Sequence, residues 1–143
     1  MTVPKLPNLH GLHVLVVDDN EDIREILIAF LTHLGAVVTT VPNAREGLAA
    51  LNELRAHVIL SDISMPGIDG LEFIRHVRAR PGEADQRTPA IAITGFALSE
   101  DRDRALRSGY DAFIAKPVDP VFVAQEVARW TGRPRVVRQH RAS

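Results

Sequence analysis

HVILSDISMPGIDG, His57 to Gly70, runs from an apolar segment into a carboxylate, Asp62, and then into a proline and two glycines. A nearly continuous apolar run of this length is the pattern of a strand covered on both faces, not of a half-solvated one. Asp62 therefore sits where a buried strand surfaces. Pro66, Gly67 and Gly70 then turn the chain away sharply and leave the approach to that carboxylate open. An ionisable group held rigidly at such a place calls for a partner or a task.

Working outward, LHVLVV, AVVTTV, AIAIT and DAFIA repeat the same near-continuous apolar character, which predicts five central strands. Amphipathic segments separate them. In residues 21 to 34, Ile23, Ile26, Leu27, Phe30, Leu31 and Leu34 fall on one face at helical spacing. Glu21 and Asp22 favour the first turn of that helix, and Gly35 supplies a C-terminal stop. Asn43 to Arg55, Gly70 to Arg80, Ser99 to Ser108 and Asp119 to Trp130 follow the same pattern. Strand and helix alternate five times, and right-handed crossovers then give an α/β domain: a doubly wound parallel sheet with helices on both faces.

Composition bounds the chemistry. The 143 residues are 45% hydrophobic and 24% charged, with 17 Lys+Arg against 18 Asp+Glu, so no global charge points to nucleic acid or a membrane surface. The absence of cysteine excludes disulfides, thiolate nucleophiles and Cys-based metal sites, and fits a reducing compartment. Apolar runs fall far short of a membrane span, and two aspartates interrupt the N-terminal segment too soon for a signal-peptide core, so a cytoplasmic protein is expected. The six histidines show no metal-ligand spacing.

The strand ends carry the remaining signal. The first ends in Asp18 and Asp19, the third in Asp62, the fourth in Thr94 and the fifth in Lys116. Open α/β sheets bind ligands at the carboxyl ends of their strands, so three carboxylates, a hydroxyl and an ammonium should converge on one rim. Crowded acids repel unless a cation lies between them, and an all-oxygen set suits Mg²⁺. Taken singly, each residue has a plainer role: Asp18 and Asp19 could open a helix, Asp69-Gly70 a turn and N-cap, and Thr94 could simply suit a strand end. Lys116 is harder to dismiss, because Lys5 is the only other lysine in a chain that otherwise uses arginine.

VLVVDDN, LSDISMPGIDG, AIAITG and FIAKPVD, in this order and spacing, resemble the receiver domain of bacterial two-component response regulators. The resemblance spans Leu12 to Trp130 and implies the flavodoxin-like strand order 2-1-3-4-5. It implies that Asp62 is the phosphoacceptor, that Asp18, Asp19, Asp62 and the Ser64 carbonyl hold Mg²⁺, and that Lys116 contacts the phosphoryl group. It makes Thr94 the switch hydroxyl and Phe113 the rotating aromatic, with Tyr110 a bystander. It implies a cis bond between Lys116 and Pro117. Such a domain is a signalling phosphoacceptor rather than an enzyme acting on an external substrate. A phosphohydrolase of the dehalogenase type would instead need an acid at position 64, and a flavodoxin would need a phosphate loop where this chain has DDNED. A non-phosphorylated scaffold would not require the complete residue set.

The same resemblance divides the chain into an N-terminal extension (1–10), a receiver domain (11–131) and a basic tail (132–143) expected to be disordered. The tail's Arg133, Arg135, Arg138 and Arg141 lack interleaved aromatics, so nucleic-acid binding is not expected. A dozen residues cannot form an output domain, which implies a stand-alone regulator or the receiver of a hybrid histidine kinase. The implied partner is a histidine kinase or histidine phosphotransfer domain, without membrane association, the chain being a monomer or a weak phosphorylation-dependent dimer. Helical geometry adds a candidate surface: Ile28 projects off the core face of the first helix beside Arg24, where a helical partner could dock.

Overall fold

The computed structural model describes residues 6–65, 67–82, 87–95 and 99–133. Its elements alternate as β1 (His13–Val17), α1 (Glu21–His33), β2 (Val37–Val41), α2 (Ala44–Glu53), β3 (Val58–Asp62), α3 (Gly70–Ala79), β4 (Ala90–Thr94), α4 (Ser99–Ser108), β5 (Ala112–Ala115) and α5 (Pro120–Trp130). The five strands are all parallel, as the alternation of strand and helix predicts, and lie in the order β2-β1-β3-β4-β5 that the receiver resemblance implies.

Strand alternation explains why the apolar runs are nearly continuous. Val14, Val16, Val58, Leu60, Ile91, Ile93 and Ile114 face one way and pack with Leu27 and Leu31 of α1 and Val123 and Val127 of α5. The intervening Leu15, Val17, Ile59, Ala90 and Ala92 face the other way, onto Leu51 of α2, Phe73, Ile74 and Val77 of α3 and Ala105 of α4. Both faces are dry, so β1, β3 and β4 need apolar residues at almost every position. The two edge strands are less covered: β2 is half-exposed along its length, with Val37 57% exposed, because it has a neighbour on one side only.

Helix starts follow short polar side chains. Asn20, Asn43, Asp69 and Asp119 are the N-caps of α1, α2, α3 and α5, each accepting a hydrogen bond from a first-turn amide. Such a cap stabilises its helix by about 1 kcal/mol. The expected helical segments Asn43–Arg55 and Asp119–Trp130 thus begin one residue later, the first residue being the cap. Gly35 closes α1 with φ +100, and a side chain there would strike the His10 backbone, 2.9 Å from its Cα.

The placement of Ile26 on the core face of α1 is not upheld. It is 49% exposed, more than Ile28 at 38%, because the sheet covers only the stripe centred on Leu27 and Leu31. At the other end, Leu9 is fully buried in the core and its amide donates to the Leu34 carbonyl at 2.9 Å, so packing begins before residue 11. Arg133 donates its amide to the Ala128 carbonyl, at the end of α5. Pro66 and the tail residues Arg135, Arg138 and Arg141 lie outside the described residues.

Candidate functional site

Alternation along the strands also sorts the rim residues. Asp18 continues the Val14–Val16 side of β1, Asp62 the Val58–Leu60 side of β3, and Lys116 the Ile114 side of β5, so all three point from one side of the sheet edge. Thr94 and Phe113 fall on the opposite parity, with Ala92. The carboxylates and the ammonium therefore meet, while the hydroxyl and the aromatic ring approach from the α3–α4 side.

Distances bear this out. Lys116 Nζ lies 3.2 Å from Asp62 Oδ2 and 3.7 Å from Asp18 Oδ2. Asp18 and Asp62 are buried, whereas Asp19 is exposed, and one carboxylate oxygen from each of the three comes within 4.8 Å of the others. Asp18 Oδ1 accepts the Asn20 amide at 2.8 Å, so Asn20 orders the acid pair with its backbone and caps α1 with its side chain. Arg24 Nη1 donates to the Asp18 carbonyl at 2.7 Å, a tie from the first turns of α1 back to the same loop. Asp62 Oδ1 accepts the Ser64 amide at 3.2 Å, folding the loop after β3 onto the carboxylate.

Two buried acids share one ammonium, and the imbalance appears in their proton affinities. Burial first, and then the Asp18 charge, push the Asp62 carboxyl up to about 6, despite the attraction of Lys116. Burial likewise raises Asp18, against the Asn20 amide and Lys116. Asp18 Oδ2 has no hydrogen-bond partner among the described residues although it is buried. A buried carboxylate oxygen that has an ammonium 3.7 Å away but no hydrogen bond, and that faces two further acids, fits a divalent cation, which would satisfy that oxygen and remove the repulsion.

Thr94 is fully buried, and its carbonyl accepts the Lys116 amide at 2.8 Å, so the hydroxyl-bearing strand is locked to the lysine-bearing one at the rim. The Lys116-Pro117 bond is cis, as expected. Beside the acids, a cavity of about 470 Å³ is lined by Ile63, Ser64, Met65, Asp69 and Leu71, by Thr94, and by Asp101 and Arg104 of α4. Asp101 and Arg104 carry no signal in the sequence, being two charges among six on a polar helix. Asp69 was expected only as a cap, a role it does fill by accepting the Glu72 amide at 2.9 Å. No helix among the described residues is long and apolar enough to cross a membrane.

Residues 14–128 match the response regulator receiver domain family, and the chain belongs to it. It is 41% identical over 125 residues to an uncharacterised 14.6 kDa protein of Leptolyngbya boryana, covering 87% of this chain and 94% of that protein. It is 32% identical over 120 residues to the sensor protein GacS of Pseudomonas syringae pv. syringae, covering 83% of this chain but only 13% of GacS. Among solved structures, it superposes with a TM-score of 0.77 and 33% identity on the receiver domain of the sensor histidine kinase PA1611 from Pseudomonas aeruginosa PAO1, covering 85% of this chain and 98% of that one. That structure has a magnesium ion coordinated in its active-site cleft. The present chain is thus a receiver of two-component signal transduction, and its acidic pocket of Asp18, Asp19 and Asp62 fits a metal-assisted phosphoacceptor site.

Proposed function

We propose that Asp62 accepts a phosphoryl group from a phosphohistidine on a histidine kinase or a histidine phosphotransfer domain, with Mg²⁺ held by Asp18, Asp19, Asp62 and the Ser64 carbonyl. The observation that carries this is Asp62 itself: a carboxylate 3% exposed at the end of a buried strand, with an ammonium 3.2 Å from its Oδ2. An Asp62 oxygen attacks phosphorus, the new P–O bond forms as the P–N bond breaks, and the electron pair leaves on the imidazole nitrogen. Such a transfer asks the protein for little beyond in-line placement and neutralisation of charge on the phosphoryl oxygens. A bound divalent cation supplies part of that charge, and Lys116 supplies the rest by turning from Asp62 to a phosphoryl oxygen.

The Thr94 hydroxyl then donates to the aspartyl phosphate, and its inward movement frees room for Phe113 to change rotamer, so that local chemistry is read out on β4 and β5. The domain promotes only its own phosphorylation and dephosphorylation. The exposed Ile28 of α1, one turn on from Arg24, which ties the helix to the acid loop, offers the docking face for a helical phosphodonor. A cytoplasmic domain, monomeric or weakly dimeric when phosphorylated, without direct nucleic-acid binding, accords with this role. Incubation with acetyl phosphate and Mg²⁺ followed by intact-mass measurement tests it. One added phosphoryl group is expected, lost without the cation and in Asp62→Asn; an unlabelled wild type overturns it.

A further inference from the structure

Tyr110 lies just before β5 and has no part in the chemistry above, yet its hydroxyl reaches Gly70, at the start of the helix that rests on the phosphoacceptor's backbone. The ring is 3% exposed within the apolar cluster under α3, and the phenol donates to the Gly70 carbonyl at 2.7 Å. Ser61, fully buried, donates its hydroxyl to the Asp62 carbonyl at 3.1 Å. Gly70 in turn donates its amide to the Ile63 carbonyl at 2.8 Å. A Cβ on Gly70 would run into the Asp62 carbonyl oxygen and stand 2.5 Å from the Ile63 Cα, so the start of α3 is seated directly on the Asp62–Ile63 peptide. On its other side Tyr110 is tied down by its own amide, which donates to the Ala105 carbonyl at the end of α4 at 3.1 Å. Phe113 and Lys116 follow on the same short segment.

An apolar ring would fill this space at no desolvation cost, whereas a buried hydroxyl must be matched to a partner. Here the match joins the segment carrying Lys116 to the segment carrying Asp62. We propose that Tyr110 is a positioning residue for phosphoryl transfer, its hydroxyl clamping Gly70, and through Gly70 the Asp62 peptide, to the start of β5. The clamp keeps the attacking carboxylate and the Lys116 ammonium in one frame. This rests on Asp62 being the phosphoacceptor.

Tyr110→Phe tests it, since the ring still fills the cluster. With acetyl phosphate and Mg²⁺, the maximal labelling rate is expected to fall by about tenfold, the scale on which small misplacements act, with half-saturating donor and Mg²⁺ affinity within about twofold of wild type. Amide exchange at Gly70 should quicken while exchange in β1 is unchanged, a local signature that global destabilisation would not give. A Tyr110→Phe protein labelled at the wild-type maximal rate overturns the clamp while leaving Asp62 as acceptor. Slowed labelling accompanied by equally quickened exchange in β1 and Gly70 overturns it too, by assigning the effect to overall stability. A wild type that takes no phosphoryl group at Asp62 removes the acceptor assignment itself, and the clamp with it.

Discussion

Lys116 Nζ stands 3.2 Å from Asp62 Oδ2 and 3.7 Å from Asp18 Oδ2, one ammonium serving two buried carboxylates from different strands. Its position between them requires a compact charge. Lys116→Arg keeps the charge but brings a planar fork too large for the gap. The expected result is labelling by acetyl phosphate roughly 10- to 100-fold slower, as for other misplaced reacting groups. Labelling at the wild-type rate, with an unaltered conformational response, would refute the requirement for an ammonium.

Asp62→Asn preserves shape and removes the nucleophile, so the mass increase should vanish. Asp19→Asn keeps the nucleophile and should weaken Mg²⁺ binding, measurable by titration without any phosphodonor. Stoichiometric labelling of the first variant, or unchanged metal affinity in the second, removes the respective residue from its role.

Acidity gives an independent check on the metal-free protein. The Asp62 carboxyl titrates near 6 in the folded chain, against about 3.9 when unfolded. The folded state therefore binds this proton more tightly, and the contribution of Asp62 to stability is fully present below about pH 4 and lost as pH rises through 6. Asp18, raised in the same direction, adds to the trend. Asp62→Asn should accordingly become more stable than wild type as pH climbs from 4 to 7.5, by roughly 1–3 kcal/mol at the upper end. Mg²⁺ should stabilise the wild type at pH 7.5 and do little at pH 4.5. Parallel stability–pH curves for the two proteins would contradict the burial of a strained carboxylate.

Gly70→Ala should be costly because its methyl meets the Asp62 carbonyl and the Ile63 Cα, both backbone and unable to swing aside. Overpacking of this kind costs about 1–3 kcal/mol, to be read from denaturant midpoints. A variant as stable as wild type would mean that α3 is free to back away from the phosphoacceptor loop.

On α1, Ile26 and Ile28 are 49% and 38% exposed. Substituting either with Asp should leave the unfolding midpoint and acetyl phosphate labelling near wild type. At least one of the two substitutions should slow transfer from a phosphohistidine protein about tenfold, equivalent to ~1.4 kcal/mol at the docking step. Normal transfer to both variants would place the docking surface elsewhere.

The alternation of strand and helix, the Asp69 cap and the rim residues were legible from the chain because each depends on local chemistry. Periodicities of two and of 3.6 residues, a short polar side chain before a helix, and a carboxylate ending an apolar run are all visible without knowing what packs where. Where periodicity misled, the cause was geometry beyond the element. Ile26 shares a helical face with Leu27 in projection, yet the sheet covers only a narrow stripe of α1. Tyr110 looked like a bystander to Phe113, since nothing local reveals that its hydroxyl reaches a carbonyl forty residues earlier in the chain. Burial, and with it the raised proton affinity of Asp62 and the missing hydrogen bond at the Asp18 oxygen, arises only when β1, β3 and β5 bring their ends together. Residue types and their spacing name the participants; desolvation and distance, which are properties of the packed chain, give them their chemistry.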